Sequence, residues 1–309
     1  MQESLFPTPG RAPAGESGLD AGLDEVTWYF RGIDEELFGR VFRQSIDEVL
    51  DGPRTGRYRV DDLEKTEKTY LGTKVEIVLR AALGAKRGRK GMDYLIAGHD
   101  VDAKFSLKPW RWPIPGEAVG HLCLLLHADD DASHFRVGLV RVTEAILNAG
   151  ANRDGKRTIS MTGRTAVRWL IADGRLPANA LLHMDPADRE RILAARSGQG
   201  KITLLFEVVR GRLVSRDTVA VLAVQQDMPK RVRDARIPLR GKGIVVLGHQ
   251  DEHPRIAREL GLPEPRKGQW VSARLVPAGD DDRPRTTIGG APYVVALPNE
   301  AEHPIDGIY

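Results

Sequence analysis

The stretch "MDYLIAGHDVDAKFSL", residues 92–107, decides how the chain is read. It contains two short apolar runs, "DYLIAG" and "VDAKFSL", joined at "GHD", and so predicts a β-hairpin or two adjacent strands. Side chains on a strand alternate between faces, which puts Asp102 and Lys104 on one face and Val101, Ala103 and Phe105 on the other. Charges at this spacing are common on a solvated strand. They acquire chemical meaning only if further acidic groups converge on them.

Two acidic groups are placed to do so. Asp93 opens the first run, where a hairpin would bring it beside Asp102, and Glu76 comes earlier, in a helical segment containing "GTKVEI". The order Glu, Asp, Asp-x-Lys suits phosphodiester hydrolysis. Carboxylates and a backbone carbonyl, here that of Ala103, make an oxygen cage for Mg2+, and the lysine reaches the phosphate and the attacking water. Glu76 also has a structural explanation, because Thr73 three residues before it makes "TKVE" a capping box. The residues alone leave both readings of Glu76 open.

Toward the N-terminus, Leu37, Val41, Ile46 and Leu50 keep helical spacing and "DGP" at 51–53 stops the helix, leaving "RTGRY" as a basic loop. A second helix covers "VDDLEKTEKTYLGTKVEIVLRAALG", with Val75, Val78, Leu79 and Leu83 on one face and Gly84 as terminator. Toward the C-terminus, "GHLCLLLHA" and "FRVGLVRV" predict two more strands. Helices followed by strands predict an α/β (α+β) domain over 26–172, a mixed sheet flanked by helices. Residues 1–25, rich in Pro and Gly, read as a flexible arm, and 173–178 within "DGRLPANA" as a linker.

Residues 179–309 have a different texture. "KITLLFEVVRG", "RDTVAVLAV" and "DMPKRVRDAR" predict three consecutive short helices, the third capped by Asp227 with Pro229 in its first turn, and "GIVVLG" then begins a strand. This is a winged helix-turn-helix outline. "DEHPRIARELGLP" predicts a further helix started by Asp251 and ended by Gly261, and "QWVSARLV" and "PYVVAL" predict strands.

Composition narrows the class. Over 309 residues, 41% apolar and 29% charged describe a folded chain with room for two domains. The longest apolar run, "LCLLL" at 122–126, is far too short for a membrane span. The single cysteine, Cys123, lies in that run, which predicts a buried thiol and a cytoplasmic protein, as does the lack of a signal-peptide pattern. Net charge is only +3, but basic residues cluster in "AKRGRKG" and "PKRVRDARIPLRGKG", beside glycines that let a backbone approach phosphates. Nucleic acid is the expected partner, with no organic cofactor. His249 and His253 span a strand end and a helix cap and read as structural rather than metal-ligating, as do His121 and His127.

Several longer words give this pattern a family. "LDGPRTGRY", "KTEKTYLGTKVEI", "DYLIAGHDVDAKFS", "GHLCLLL" and "ANRDGKR" in the first half, with "RVRDARI", "LGHQDEHP" and "LGLPEPRKGQ" in the second, resemble the NaeI family of restriction endonucleases from about Leu50 to Val276. By this resemblance Glu76, Asp93, Asp102 and Lys104 match the family's catalytic positions, and Ala103 stands where the family has cysteine, leaving its carbonyl available. The resemblance implies a restriction-endonuclease-like fold, a homodimer, and a C-terminal winged helix similar to that of catabolite activator protein. It also implies type IIE behaviour, in which one copy of a GC-rich palindrome in double-stranded DNA is the effector for cutting at another. Gln225, Gln226, Lys230, Arg231 and Arg233 lie at or just before the predicted recognition helix, and Arg54, Thr55, Arg57 and Tyr58 in the basic loop are expected at the DNA backbone. The rival reading is a winged-helix DNA-binding regulator whose nuclease half is silent. "DGPRTGRY" loosely resembles a ligase-type D-G loop, but Val49 stands where that chemistry needs its lysine nucleophile.

Overall fold

The computed structural model describes residues 20–89, 91–223, 228–280 and 282–309. They form two compact units, one of residues 20–49 and Arg59–Ala178, the other of Leu50–Tyr58 and Asn179–Tyr309. The basic stretch "RTGRY" therefore belongs to the C-terminal unit and not, as the sequence suggested, to the N-terminal one.

The N-terminal unit begins with α1 (Ala21–Arg31), capped by the Asp20 carboxylate, which accepts the N–H of Leu23 at 3.0 Å. Residues 20–25 are thus cap and first turn rather than arm; residues 1–19 lie outside the described ones. The expected helix is α2 (Glu35–Leu50). Beyond it Asp51 is left-handed and Gly52–Thr55 make one further turn, α3, so "DGP" redirects the chain instead of starting a loop. The second expected helix is α4 (Lys65–Leu83), closed by left-handed Gly84. At its start the Glu67 carboxylate accepts the backbone N–H of Glu64 at 2.9 Å. Capping is complete there, and Thr73 and Glu76 are interior to the helix.

The sheet of this unit has the order β1 (Tyr94–Ile96), β2 (His99–Ser106), β3 (Leu122–Asp129), β4 (His134–Arg141), β5 (Arg168–Arg175), and only the β2–β3 pair is parallel. The β1–β2 hairpin closes at Ala97 and Gly98, both with positive φ, the two-residue turn whose twist matches paired strands. His99 and Asp100, expected in the joint, already belong to β2.

Register divides the residues between two faces. Asp102 lies opposite Cys123 and Lys104 opposite Leu125, while Val101, Ala103 and Phe105 align with Leu122, Leu124 and Leu126. Phe42 of α2 covers the second face, its ring 6.0 Å from that of Phe105 and 5.2 Å from that of Phe135. The first face is covered by the two long inter-strand connections, through Trp112 and Ile114 from one and Ile146, Leu147 and Ile159 from the other, packed with Cys123, Leu125 and Val140. β5 runs through Asp173–Arg175, so the expected linker begins inside a strand.

In the C-terminal unit the chain continues through α5 (Pro186–Leu193), α6 (Gly198–Val208), β6 (Leu213–Ser215), α7 (Arg216–Ala223), α8 (Met228–Gly241), β7 (Ile244–Leu247), α9 (His253–Glu259), β8 (Gln269–Pro277), β9 (Arg285–Ile288) and β10 (Ala291–Val295). The three expected helices are α6, α7 and α8, with Pro229 in the first turn of α8, and the expected strand after them is β7. Asp227 lies outside the described residues. β8 pairs antiparallel with β6, β7 and β10. Glu252, not Asp251, is the N-cap of α9; Asp251 takes a left-handed turn conformation.

Gly174, within the expected linker, is packed in β5, where an added Cβ would run into the Phe135 ring. Gly174→Ala is expected to destabilise the N-terminal unit by about 1–3 kcal/mol. A urea or thermal denaturation curve superimposable on that of the wild type would contradict this packing.

Candidate active site

Local geometry supplies each member of the candidate site. Asp102 and Lys104 alternate with buried residues along β2. Asp93 immediately precedes β1, and the tight hairpin returns it to β2, where its Oδ2 accepts the N–H of Ala103 at 2.9 Å. Glu76 extends from the interior of α4 beside buried Val75, and the Tyr94 hydroxyl donates to the Glu76 carbonyl at 3.1 Å, tying the helix to the hairpin.

The Lys104 ammonium sits where these oxygens meet. It donates to Asp102 Oδ1 at 2.8 Å and to the carbonyl oxygen of Ala103 at 2.7 Å, and lies 3.8 Å from Asp93 Oδ2. Asp102 is 4% exposed, and its Oδ2 is buried with no hydrogen-bond partner.

Electrostatics are strained in one direction. Burial, reinforced by Asp93, pushes the Asp102 carboxyl up to about 6, with Lys104 pulling the other way. Burial and the Asp93 charge push Glu76 up to about 7, against the opposing pull of Lys104 and, from a distant loop, Lys156. Burial alone would lower the Lys104 ammonium, but Asp102 outweighs it and the net direction is upward. Burial also raises the Cys123 thiol well above its usual value; the expected buried cysteine lies beside Asp102 on the neighbouring strand, protonated and unreactive.

Glu76, Asp93, Asp102 and Lys104 are therefore brought within electrostatic reach of one another. Among the described residues, no group of three or more His, Cys, Asp or Glu side chains is arranged to hold a metal ion as it stands. The donors nevertheless suit a hard cation. Two aspartates and a backbone carbonyl already converge on an ammonium, and Asp102 Oδ2 offers an unused buried acceptor.

The residues expected at DNA are elsewhere. In the C-terminal unit, Arg54 is exposed and pairs with Asp51 at 3.2 Å, whereas Thr55 donates to the Leu50 and Asp51 carbonyls and Arg57 to the Leu50 carbonyl. Tyr58 packs against the helical core. Lys230 and Arg233 are exposed on α8 and Arg231 half-buried; Gln225 and Gln226 lie outside the described residues. Part of the second basic run serves the fold, since Arg236 donates to the Val246 carbonyl and stacks on Tyr309, and Lys242 pairs with Glu207 at 2.8 Å. His253 Nδ1 accepts the N–H of Gly248 at 3.2 Å, a structural role. Sequence reading missed Lys156; only its place in "ANRDGKR" pointed toward it.

A mixed five-stranded sheet flanked by helices, with an Asp-x-Lys strand facing further carboxylates, is consistent with a restriction-endonuclease-like fold. Comparison with known proteins agrees: the family model described as Restriction endonuclease NaeI matches residues 29–304. The Type II restriction enzyme NaeI of Lentzea aerocolonigenes is 43% identical over 294 residues, which cover 91% of this chain and 92% of that enzyme. These findings define a type II restriction endonuclease, a site-specific hydrolase. The chain belongs to the NaeI family.

Raised carboxylates set a pH dependence of stability. Glu76 binds its proton more tightly in the fold than in the unfolded chain, so its contribution is complete below its ordinary value near 4.5 and is lost as pH rises through about 7. Glu76→Gln removes that penalty. Without divalent ions it should be more stable than the wild type at pH 8, by on the order of 1–3 kcal/mol, and nearly equal to it at pH 4. Thermal midpoints whose difference does not change between the two pH values would contradict the assignment.

Proposed function

We propose that this enzyme hydrolyses both strands of double-stranded DNA in a Mg2+-dependent reaction at a GC-rich palindrome, leaving 5′-phosphate and 3′-hydroxyl ends. The observation that carries the reading is the gathering of Asp93, Asp102 and the Ala103 carbonyl around Lys104, with Glu76 alongside. Asp93, Asp102 and the Ala103 carbonyl would hold the ion, with Glu76 bearing on a water in its shell. When bound, Mg2+ supplies Lewis-acid neutralisation of phosphate charge and a more acidic water. Alanine in place of the family's cysteine at position 103 leaves the carbonyl ligand unchanged.

The chain's own groups account for the remaining chemistry. Glu76, ionised beside the bound cation, can accept a proton from the attacking water. Lys104 orients the water and stabilises charge that builds on the phosphate oxygens. The buried flank of β3 keeps these charges in a medium where each is felt strongly.

The C-terminal unit supplies the second half of the proposal. The succession α6, α7, α8 and the antiparallel β7–β8 pair supports a winged helix similar to that of catabolite activator protein. In it Lys230, Arg231 and Arg233 of α8, preceded by Gln225 and Gln226, would meet an effector copy of the site, and Arg54, Thr55 and Arg57 would add contacts to the DNA backbone. A cytoplasmic homodimer would match the twofold symmetry of a palindrome at both copies. No helix among the described residues is long and apolar enough to cross a membrane.

Lys104→Ala is expected to lower cleavage of plasmid DNA with Mg2+ by about a thousandfold or more while sparing gel-shift binding. Discrete fragments from the wild type separate the enzyme from the silent regulator. Undiminished cutting by the variant would falsify the role given to Lys104.

A further inference from the structure

The long connection between β4 and β5 carries an exposed hairpin tip built around Asn152. Asn152 Oδ1 accepts the N–H groups of Asp154 and Lys156 at 3.0 and 2.9 Å, Asn152 N–H donates to the Lys156 carbonyl at 2.8 Å, and Gly155 supplies the positive φ that closes the turn. Its base is fixed from both sides. Arg157 exchanges backbone hydrogen bonds of 2.8 Å with Ile114, in the connection that leaves β2 after Lys104, and its guanidinium forms a two-pronged pair with Glu144 at 2.6 and 3.0 Å. Arg157 is thus committed to the fold. Lys156 is exposed, and among the described residues no hydrogen bond or ion pair holds its ammonium, although its charge reaches Glu76.

We propose that Lys156 is a substrate-binding residue that grips a backbone phosphate flanking the scissile one, delivered to the carboxylate cluster from the opposite connection by the rigid Asn152 hairpin. Three observations favour a phosphate over a structural role. The ammonium is solvated and unpaired while the backbone beneath it is fixed. The base of its hairpin, through Ile114 and Ile159, packs with Cys123 and Leu125 on the sheet face that Asp102 and Lys104 share, while Lys156 is not among the groups that build the site. A strand entering an anionic cluster also needs compensating positive charge at its flanking phosphates, and β2 contributes only Lys104.

This inference rests on the nuclease reading, and Lys104→Ala serves as its control. Lys156→Ala should raise KM about tenfold with kcat changed far less, and Lys156→Arg should restore most of the loss. In gel shifts of the full chain without divalent ion, on a synthetic duplex spanning a mapped cut site, the slope of log affinity against log salt should become shallower by about 0.9 in Lys156→Ala. A scan of neutral methylphosphonates through the phosphates beside the cut should find one position at which wild type and Lys156→Ala become equal. Cleavage and salt slope like those of the wild type, or a loss that persists at every methylphosphonate, would overturn the proposal. If Lys104→Ala also cuts normally, the placement of the active site at this cluster falls; if only Lys156→Ala does, that placement stands and this residue's role falls.

Discussion

A parallel neighbour cannot be reached through a tight turn, and the pairing of β2 with β3 therefore sends the chain on a long excursion between them. That excursion contains no full helix. It folds Trp112 and Ile114 onto the face of the sheet that Asp102 and Lys104 share, and the β4–β5 connection joins it there. The antiparallel return of β1 then brings Asp93 to the same edge, and α4 carries Glu76 to it. Low polarity beneath the cluster, with negative charge crowded above, follows from the topology.

Such crowding is costly in the isolated chain. Burying charge without full compensation destabilises a fold, and here one ammonium serves two aspartates while a carboxylate oxygen stays without a partner. Natural proteins keep this kind of strain where function requires it. The same arrangement that raises Asp102 and Glu76 is the one a divalent ion would relieve, since it would favour both ionised forms and release protons on binding.

The sequence showed some of this clearly. The hairpin was legible because alternation over "VDAKFS" and a turn with Gly98 point to one register, and α2 and α4 because their apolar spacing is long and regular. Glu76 stayed ambiguous because "TKVE" has the spelling of a cap; the actual start, eight residues before Thr73 at Lys65, removes that role. Gly174 and Pro177 looked like linker punctuation, yet Gly174 is needed for close packing against Phe135, which no local pattern reveals. β6 is a short strand whose existence depends on β8, distant in sequence, and α1 follows directly on a segment whose Pro and Gly suggest no order. Lys156 was hidden for a related reason: an exposed loop has no periodicity to read, and its meaning comes from where the fold carries it.

The central claim is that Asp93, Asp102 and the Ala103 carbonyl make a site for a divalent cation. Mn2+ titration of the full-length, DNA-free protein, followed by electron paramagnetic resonance, tests it directly. The account predicts a bound Mn2+ signal in the wild type that is competed by Mg2+ and lost in Asp102→Asn, with the variant remaining folded by circular dichroism. Equal Mn2+ binding by wild type and Asp102→Asn would contradict it.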